Sequence, residues 1–300
     1  MCQMLNFDFT LERRLKERNR DLAYRYTCCM NIFEHILKKI LAAFPTFTDH
    51  TLLHSLNVTN ITNYLLREEV SKLNASEIYI YLMSAALHDI GMGVSGSAVN
   101  SYIDDANLRT YANGHPDMPQ SVLIRKFHHE FSAVFVRKYW RMLEIPNERY
   151  AHAIAEVGRG HRKTDLMDET LYPMDFDLGE GSTANLATLA AVLRIADEMD
   201  IASDRNPHLL YDWKSMEGLS EKDVFEFSKH EAIQTVAFTE HGIIIHASTD
   251  DKNIEQGVIA CAQTVKETMA YCVSVMEKRS AVRIPCSKIE LLLNGNPVQV

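Results

Sequence analysis

One predicted helix in this sequence is apolar on almost every side, and it limits the folds available to the chain. Residues 76–89 contain a nearly unbroken apolar run, made of Ile78, Ile80, Leu82, Met83, Ala85, Ala86 and Leu87. A helix without a polar face must be surrounded by other elements. Ser76 is the predicted N-cap, because serine accepts hydrogen bonds from the free amides of a first turn. The pattern predicts a helical bundle around this segment, with the polar pair His88-Asp89 at its end.

Hydrophobic periodicity predicts that other segments are helical as well. Apolar residues recur at three- and four-residue steps in segments 10–43, 50–69, 120–143, 147–160 and 184–201. Residues 91–119 are rich in Gly, Ser, Asn, Asp and Pro, and so long a connection is typical of a functional segment. We interpret it as a lid that contains a short helix, and we interpret the acidic residues 164–183 as a loop.

The pattern changes after about residue 205. Residues 231–238 and 243–248 predict a β-hairpin, residues 252–278 a helix, and residues 287–293 a further strand. The predicted fold class is therefore mainly α, with a small C-terminal α+β segment. We expect a helical domain at 1–205, which includes helix 10–43, and an α+β segment at 206–300 packed on it.

Charge and composition bear on the possible partners. With 46% hydrophobic and 24% charged residues among 300, the chain can bury a sizeable core. Its net charge of −9 disfavours a long nucleic-acid duplex as main partner, because duplex binding needs a clear basic surface. A local basic pocket for a small anion is compatible with that charge, and a homo-oligomer is left open.

Cysteine usage and the N-terminal sequence predict a cytoplasmic protein without a membrane partner. None of the cysteines forms a CxxC pair, so free thiols in a reducing compartment are expected. The N-terminal residues show no apolar core followed by a cleavage site, and no apolar run reaches the ~18 residues of a membrane span. The cysteines are Cys2, Cys28, Cys29, Cys261, Cys272 and Cys286.

Several ionisable residues fall on inner faces or at the ends of the predicted helices. His54, for example, shares a face with Val58, Ile61 and Leu65, so its side chain should point inward. The candidate residues are His54, His88, Asp89, His128 or His129, His161 and Asp197. Imidazoles and carboxylates on facing helices are how bundles bind divalent metals. No cysteine belongs to this set, so a closed structural zinc site is disfavoured.

The order of these residues resembles that of the HD-domain superfamily of metal-dependent phosphohydrolases. The resemblance covers roughly residues 45–205, about half of the chain, and implies an HD-type helical bundle. The matching pieces, in order, are TDHTLLH at 48–54, HDIG at 88–91, RKFHHEFS at 125–132, GHR at 160–162 and LRIADEMD at 193–200. These motifs are specific to the superfamily but not to one substrate.

The resemblance implies roles for individual residues. In such a site His54, His88, Asp89 and Asp197 would hold a first metal ion. In two-metal members a second ion would be held by His129 and His161, with Asp89 as the bridge. His129-Glu130 also resembles the catalytic His-Glu region of one-metal dNTP triphosphohydrolases, where the histidine acts on phosphate, so both roles of His129 stay open. The ions would be one or two of Mn, Mg, Fe, Co, Ni or Zn.

Positive side chains near these residues are candidates for binding phosphate. Arg125 lies one helical turn before His129 and should share its face, and Arg194 lies one turn before Asp197. The cations that flank His161 are Arg159, Arg162 and Lys163. We interpret His128 as a supporting or surface residue. We interpret Asp200 and Asp204 as polar-face or capping residues.

At two positions the sequence differs from HD-GYP proteins, the members of the superfamily that degrade cyclic-di-GMP. Met92 stands where those proteins have a lysine, and Arg162 stands where they have a second histidine. Cyclic-di-GMP is therefore disfavoured as the substrate. The motifs at 48–54 and 193–200 look closer to an HD subgroup often joined to Hsp90-type ATPase modules. The predicted activity is hydrolysis of a nucleotide or similar small phosphorylated substrate through a metal-activated water. The alternatives are a phosphodiesterase or nuclease acting on cyclic or short oligonucleotides, and a non-catalytic nucleotide-sensing module.

Overall fold

The computed structural model describes residues 8–43, 52–162, 164–202 and 221–300. In these ranges the helices are α1 Thr10–Arg18, α2 Arg20–Ala43, α3 Leu52–Leu66, α4 Ala75–Leu87, α5 Ala98–Asp105, α6 Arg109–Asn113, α7 Gln120–Tyr139, α8 Glu148–Arg159, α9 Leu186–Glu198, α10 Glu221–Ala232 and α11 Lys252–Arg279. The strands are β1 Phe176–Gly179, β2 Ser182–Ala184, β3 Ile233–Phe238, β4 Ile243–Ala247, β5 Ile289–Leu293 and β6 Asn296–Val298. The predicted mainly α fold with a small α+β segment is confirmed.

Helix α4 is the centre of the bundle, as its apolar composition predicts. Every residue from Ile78 to Leu87 is buried, and α1, α2, α3, α8 and α9 all pack against this helix. Its N-cap is Asn74 rather than the predicted Ser76. Asn74 and Glu77 form a capping box, in which each side chain accepts a hydrogen bond from the other residue's backbone amide. The hydroxyl of Ser76 instead makes a 2.7 Å hydrogen bond with that of Tyr150.

Two predicted segments differ from the structure. The helix expected at 10–43 is interrupted at Asn19, whose extended backbone (φ −152°, ψ 100°) separates α1 from α2. The segment expected as a lid at 91–119 carries α5 and α6 and packs on α7. Val99, Tyr102 and Ile103 form a small core there with residues of α7 such as Phe131. The segment therefore packs on α7. Its residue Met92 lines a cleft that opens beside the candidate metal centre.

The C-terminal segment forms a four-stranded sheet in the order β3-β4-β5-β6. β4 and β5 are parallel and are connected through α11, whereas the other pairs are antiparallel. Helix α11 packs against α9 and β5, and the buried residues of this segment belong to the same core as the bundle. The loop predicted at 164–183 also contains a short antiparallel hairpin, β1-β2. No helix among the described residues combines the length and apolarity needed to cross a bilayer.

Candidate metal centre

Five elements bring imidazole and carboxylate groups together at one end of the bundle. α3 carries His54, the turn after α4 carries His88 and Asp89, and α7, α8 and α9 supply or lead to the other residues. These residues are His128 in α7, His161 directly after α8, and Asp197 in α9. His54, His88, His128 and His161 are all buried. Such a concentration of buried polar groups needs a partner that satisfies them.

The first group consists of His54, His88, Asp89 and Asp197. The Nε2 atoms of His54 and His88 are 3.1 Å apart. Asp197 Oδ1 lies 3.2 Å from the first of these nitrogens and 3.5 Å from the second, and Asp89 Oδ2 lies 3.6 Å and 3.4 Å away. Two ligands about 2.1 Å from one ion and at right angles to each other are about 3.0 Å apart. Each of these distances is therefore compatible with a pair of ligands on one ion, and His54, His88 and Asp89 lie close enough together to share one.

The second group uses the other oxygen of the same carboxylate. Asp89 Oδ1 lies 3.2 Å from His128 Nε2 and 3.7 Å from His161 Nε2. The two imidazole nitrogens are 2.9 Å apart. The geometry thus places His54, His88 and Asp89 in one potential metal-binding set and Asp89, His128 and His161 in another. Asp89 belongs to both sets and offers one oxygen to each.

The hydrogen bonds of the four imidazoles indicate which nitrogen faces the centre. His88, His128 and His161 direct Nδ1 at a carbonyl oxygen three residues earlier, at 3.0, 2.7 and 2.6 Å. His54 directs Nδ1 at Asp200 Oδ2, at 2.6 Å. Because these acceptors cannot donate, we assign a proton to Nδ1 of each ring, so that Nε2 is the nitrogen directed at the centre. Four imidazoles that present Nε2 next to carboxylate oxygens form a donor set that fits divalent metal ions.

The carboxylates make this centre strongly negative. Burial opposes protonation of His88, but Asp89 and Asp197 outweigh it and hold the pKa of His88 well above its usual value. Burial would raise the pKa of Asp197, but hydrogen bonds with His54 and His88 hold it well below its usual value. A divalent cation bound here would displace the proton from His88, which is the usual competition between metal and proton.

The structure brings His128, not His129, to Asp89. Helix α7 is kinked at Phe127, whose non-helical backbone (φ −118°, ψ 17°) changes which of the two histidines faces inward. At the same place Gly91 packs directly on α7. A Cβ at Gly91 would lie 2.6 Å from the Ser132 nitrogen and closer still to the His128 carbonyl oxygen. The resemblance implied His129 as the ligand, whereas the structure groups His128 with Asp89 and His161.

His129 lies beside the second group instead. Its ring centroid is 6.3 Å from that of His161, and its Nε2 is 3.7 Å from Glu130 Oε1. Its Nδ1 is buried and has no hydrogen-bond partner among the described residues. Burial and the neighbouring His128 lower the pKa of His129 to about 3. The imidazole is therefore neutral at neutral pH, with one polar atom still to be satisfied.

Two of the predicted phosphate-binding arginines are already engaged by the protein. Arg194 is buried and donates hydrogen bonds of 2.7 Å to the carbonyl oxygens of Gly160 and Thr164. Arg159 binds Glu156 at 2.6 Å and Glu130 at 2.8 Å. Arg194 therefore holds the chain on both sides of His161, and the carboxylates neutralise Arg159. These contacts do not support a role for either side chain as an anion clamp.

A cleft of about 310 Å³ opens onto the two groups. Its walls include the predicted Arg125 and Arg162, whereas Lys163 lies outside the described residues. The C-terminal segment supplies Lys229, His230 and Cys261, none of which is among the predicted site residues. Asp200, interpreted from the sequence as a polar-face or capping residue, is instead buried and bonded to His54. Its position three residues after Asp197 is a signal that could have indicated this contact. No comparable signal in the sequence connects Lys229 with the HD motifs.

Comparison with known protein families gave one match. The model of the family HD-CE matches residues 44–274, about three-quarters of the chain. The chain belongs to the HD-CE family. HD-CE is an HD-domain-related family, and the His/Asp cluster fits an HD metal site. The HD-CE match continues past residue 205 through most of the C-terminal segment. Neither curated proteins nor solved structures gave a match to the chain.

Membership of HD-CE and the His/Asp cluster together indicate a metal-dependent hydrolase in general terms. In this HD-CE protein the candidate metal-binding residues come from the bundle. One wall of the cleft comes from α10 and α11 of the segment that follows it. The cleft is therefore lined by both parts of the chain.

Proposed function

We propose that this protein is a divalent-metal-dependent phosphohydrolase that acts on a nucleotide or a similar small phosphorylated substrate. The observation that carries the proposal is the position of Asp89. Its Oδ2 faces His54 and His88, while its Oδ1 faces His128 and His161. A carboxylate shared between two sets of imidazoles is an arrangement that suits a pair of ions a few ångströms apart.

In such a site, different residues would hold the two ions and orient the ligands. His54, His88, Asp89 and Asp197 would hold one ion, and Asp89, His128 and His161 a second one. Divalent ions held there would lower the pKa of a bound water and neutralise charge on the phosphoryl oxygens. Asp200 keeps the proton of His54 on Nδ1, so that Nε2 stays available as a ligand.

The remaining groups of the cleft suit a phosphorylated substrate. Arg125 and Arg162 line the cleft and bring positive charge to an otherwise acidic protein. Lys229 also lines the cleft, where it is paired with Glu226. Charged donors of this kind bind phosphate through short, strong hydrogen bonds. His129 stands beside the second group with a buried nitrogen unsatisfied. We assign it the binding of a phosphoryl oxygen. Glu130, which is paired with Arg159, lies beside its ring.

A second candidate is a phosphodiesterase or nuclease acting on cyclic or short oligonucleotides. The specific observation in its favour is the second metal-binding set, because two ions suit the displacement at a phosphodiester. A non-catalytic nucleotide sensor is the third possibility, and the complete set of ligands argues against it. The resemblance to the subgroup joined to Hsp90-type ATPase modules and the identity of the metal stay predictions.

The test combines metal content with turnover. We would measure bound Mn, Mg, Fe, Co, Ni and Zn by mass spectrometry. The protein would then be assayed with Mn²⁺, Mg²⁺ or Co²⁺ against nucleoside mono- and triphosphates and bis-(p-nitrophenyl) phosphate. We expect one or two ions per chain and turnover of at least one of these substrates. Metal binding without any turnover would contradict both enzyme hypotheses.

A pair of matched variants tests the site itself. Asp89→Ala should abolish metal binding and activity together, because Asp89 belongs to both sets. Asp104→Ala removes an exposed carboxylate that pairs with Arg109 on the surface, and it should change neither. An active Asp89→Ala enzyme would refute the proposed centre.

A further inference from the structure

A second and larger cavity lies beside the metal cleft. Its volume is about 670 Å³, and it lies between α10 and α11. Glu198, Lys229 and Cys261 line both this cavity and the metal cleft. The two spaces are therefore neighbours with a common wall, and a ligand of moderate length can occupy both. The larger space has the size typical of a small-molecule site.

The chemistry of this second cavity differs from that of the cleft. The metal cleft is lined by cations and by the proposed metal ligands. The second cavity presents an aromatic ring, small residues and uncharged polar side chains, together with Lys229 and the carboxylates of Glu198 and Glu226. Besides Glu226, the residues that line this cavity and not the cleft are Phe225, Asn253, Gln256, Gly257, Ala260 and Thr264. Amide side chains both donate and accept hydrogen bonds, which suits the edge of a heterocycle. An aromatic ring suits the face of a heterocycle.

The position of Phe225 depends on a glycine in the facing helix. A Cβ at Gly257 would lie 2.8 Å from Phe225 Cζ, so the ring packs directly on the backbone of α11. Glycine is unfavourable inside a helix, but here it allows the ring to approach the backbone of α11.

Lys229 stands at the boundary of the two spaces. Its Nζ donates a 2.5 Å hydrogen bond to Glu226 Oε2, and its side chain is only 16% exposed. Glu226 holds the lysine in place against the cavity wall. A ligand that extends from the cleft into the second cavity would therefore pass the Lys229–Glu226 ion pair.

We propose that the second cavity binds the base of a nucleotide whose phosphates lie in the metal cleft. This inference rests on the proposed function and names its substrate class, a nucleoside phosphate. Phe225 stacks on the base, while Asn253 and Gln256 contact its polar edge. The C-terminal segment thereby selects the substrate, and the helical bundle binds the reacting phosphate.

Binding of nucleosides tests the second cavity without any hydrolysis. Adenosine, guanosine, cytidine and uridine would be titrated into the purified full chain by calorimetry and saturation-transfer NMR, with ribose as the base-free probe. We expect at least one nucleoside to bind more tightly than ribose. Phe225→Leu should weaken that binding about tenfold, because base–aromatic stacking contributes on that scale. Gln256→Ala should weaken it severalfold.

A matched control comes from the same helix. Gln263→Ala changes the same residue type one heptad after Gln256, on an exposed part of α11 outside the cavity, and should bind like the wild type. Gln256 is exposed, so Gln256→Ala keeps the test valid even if Phe225→Leu is poorly folded. The proposal is overturned if no nucleoside binds better than ribose. It is equally overturned if folded Gln256→Ala binds the nucleoside as tightly as Gln263→Ala.

The assay separates this inference from the proposed function. Hydrolysis of bis-(p-nitrophenyl) phosphate without nucleoside binding would leave the phosphohydrolase proposal standing and refute the base site. Nucleoside binding that depends on Gln256, with no hydrolysis of any phosphate ester, would support the base site and contradict the enzyme.

Discussion

Asp200 Oδ2 lies 2.6 Å from His54 Nδ1, although the two residues are 146 positions apart in the chain. The carboxylate is buried at the end of α9, and Asn57 of α3 donates a 3.3 Å hydrogen bond to its other oxygen. This contact fixes both the tautomer and the ring orientation of His54. It also connects α3 with α9, the two helices that contribute His54 and Asp197 to the same group.

Replacing Asp200 should therefore weaken metal binding without removing a ligand. Loss of such a supporting carboxylate commonly lowers metal affinity 10- to 100-fold, so we expect a decrease of about tenfold or more in Asp200→Asn. Chelator competition followed by mass spectrometry measures the affinity. Asp177→Asn, which removes a surface carboxylate that binds Arg149, is the control and should keep wild-type affinity. Equal affinities in both variants would contradict the supporting role.

The two adjacent histidines of α7 should behave differently. His128→Ala removes a nitrogen 3.2 Å from Asp89 Oδ1 and should reduce the metal content by one ion in a two-ion site. His129→Ala should keep the metal content and lower kcat, because His129 lies outside both sets and is assigned to the phosphate. Metal stoichiometry and kcat are measured for both variants. Loss of an ion in His129→Ala, with retention in His128→Ala, would reverse the assignment.

A methyl group at Gly91 should disturb both stability and the second group. The added Cβ would overlap the α7 backbone at the carbonyl oxygen of His128. Overpacking of this kind costs about 1–3 kcal/mol, and the shift of α7 should also weaken binding of the second ion. Urea unfolding and metal analysis provide the measurements. Gly114→Ala is the control, since its nearest neighbours would lie 3.5 Å away.

Glu12 should make stability depend on pH. Burial and the nearby Asp8 raise the pKa of Glu12 from about 4.5 to about 7, and its Oε2 is buried without a hydrogen-bond partner among the described residues. Between these two values the folded state keeps a proton that the unfolded state has lost. The contribution of Glu12 to the free energy of unfolding is therefore fully present below pH 4.5, and it is lost as the pH rises to 7.

The expected loss from Glu12 is about 3 kcal/mol, at roughly 1.4 kcal/mol per pH unit. Glu12→Gln should accordingly be more stable than the wild type at pH 8 and should gain little or nothing at pH 4.5. Urea unfolding at the two pH values measures the difference between the proteins. Glu17→Gln, on the exposed side of the same helix, should show no such pH-dependent gain. A gain of equal size at both pH values would contradict the raised pKa.

Part of the site could be predicted from local pattern alone. His54 lies in the apolar stripe of its helix, and His88-Asp89 ends a helix with no polar face, so their inward positions follow from helical periodicity. The structure brings these residues together with Asp197 and His161, as the order of motifs predicted. The roles of Arg159 and Arg194 could not be predicted, because their partners Glu130 and Gly160 are contacts that depend on how helices pack.

By itself the sequence determined most of the helical segments, the central position of α4 and most of the residues that form the candidate metal centre. These depend on periodicity and residue chemistry, which are local properties. Only the tertiary structure decided that His128 rather than His129 faces Asp89, since the kink at Phe127 arises where Gly91 packs on α7. It also decided that Lys229 lines the cleft, because that position depends on how α10 packs on α11 and how α11 packs on α9.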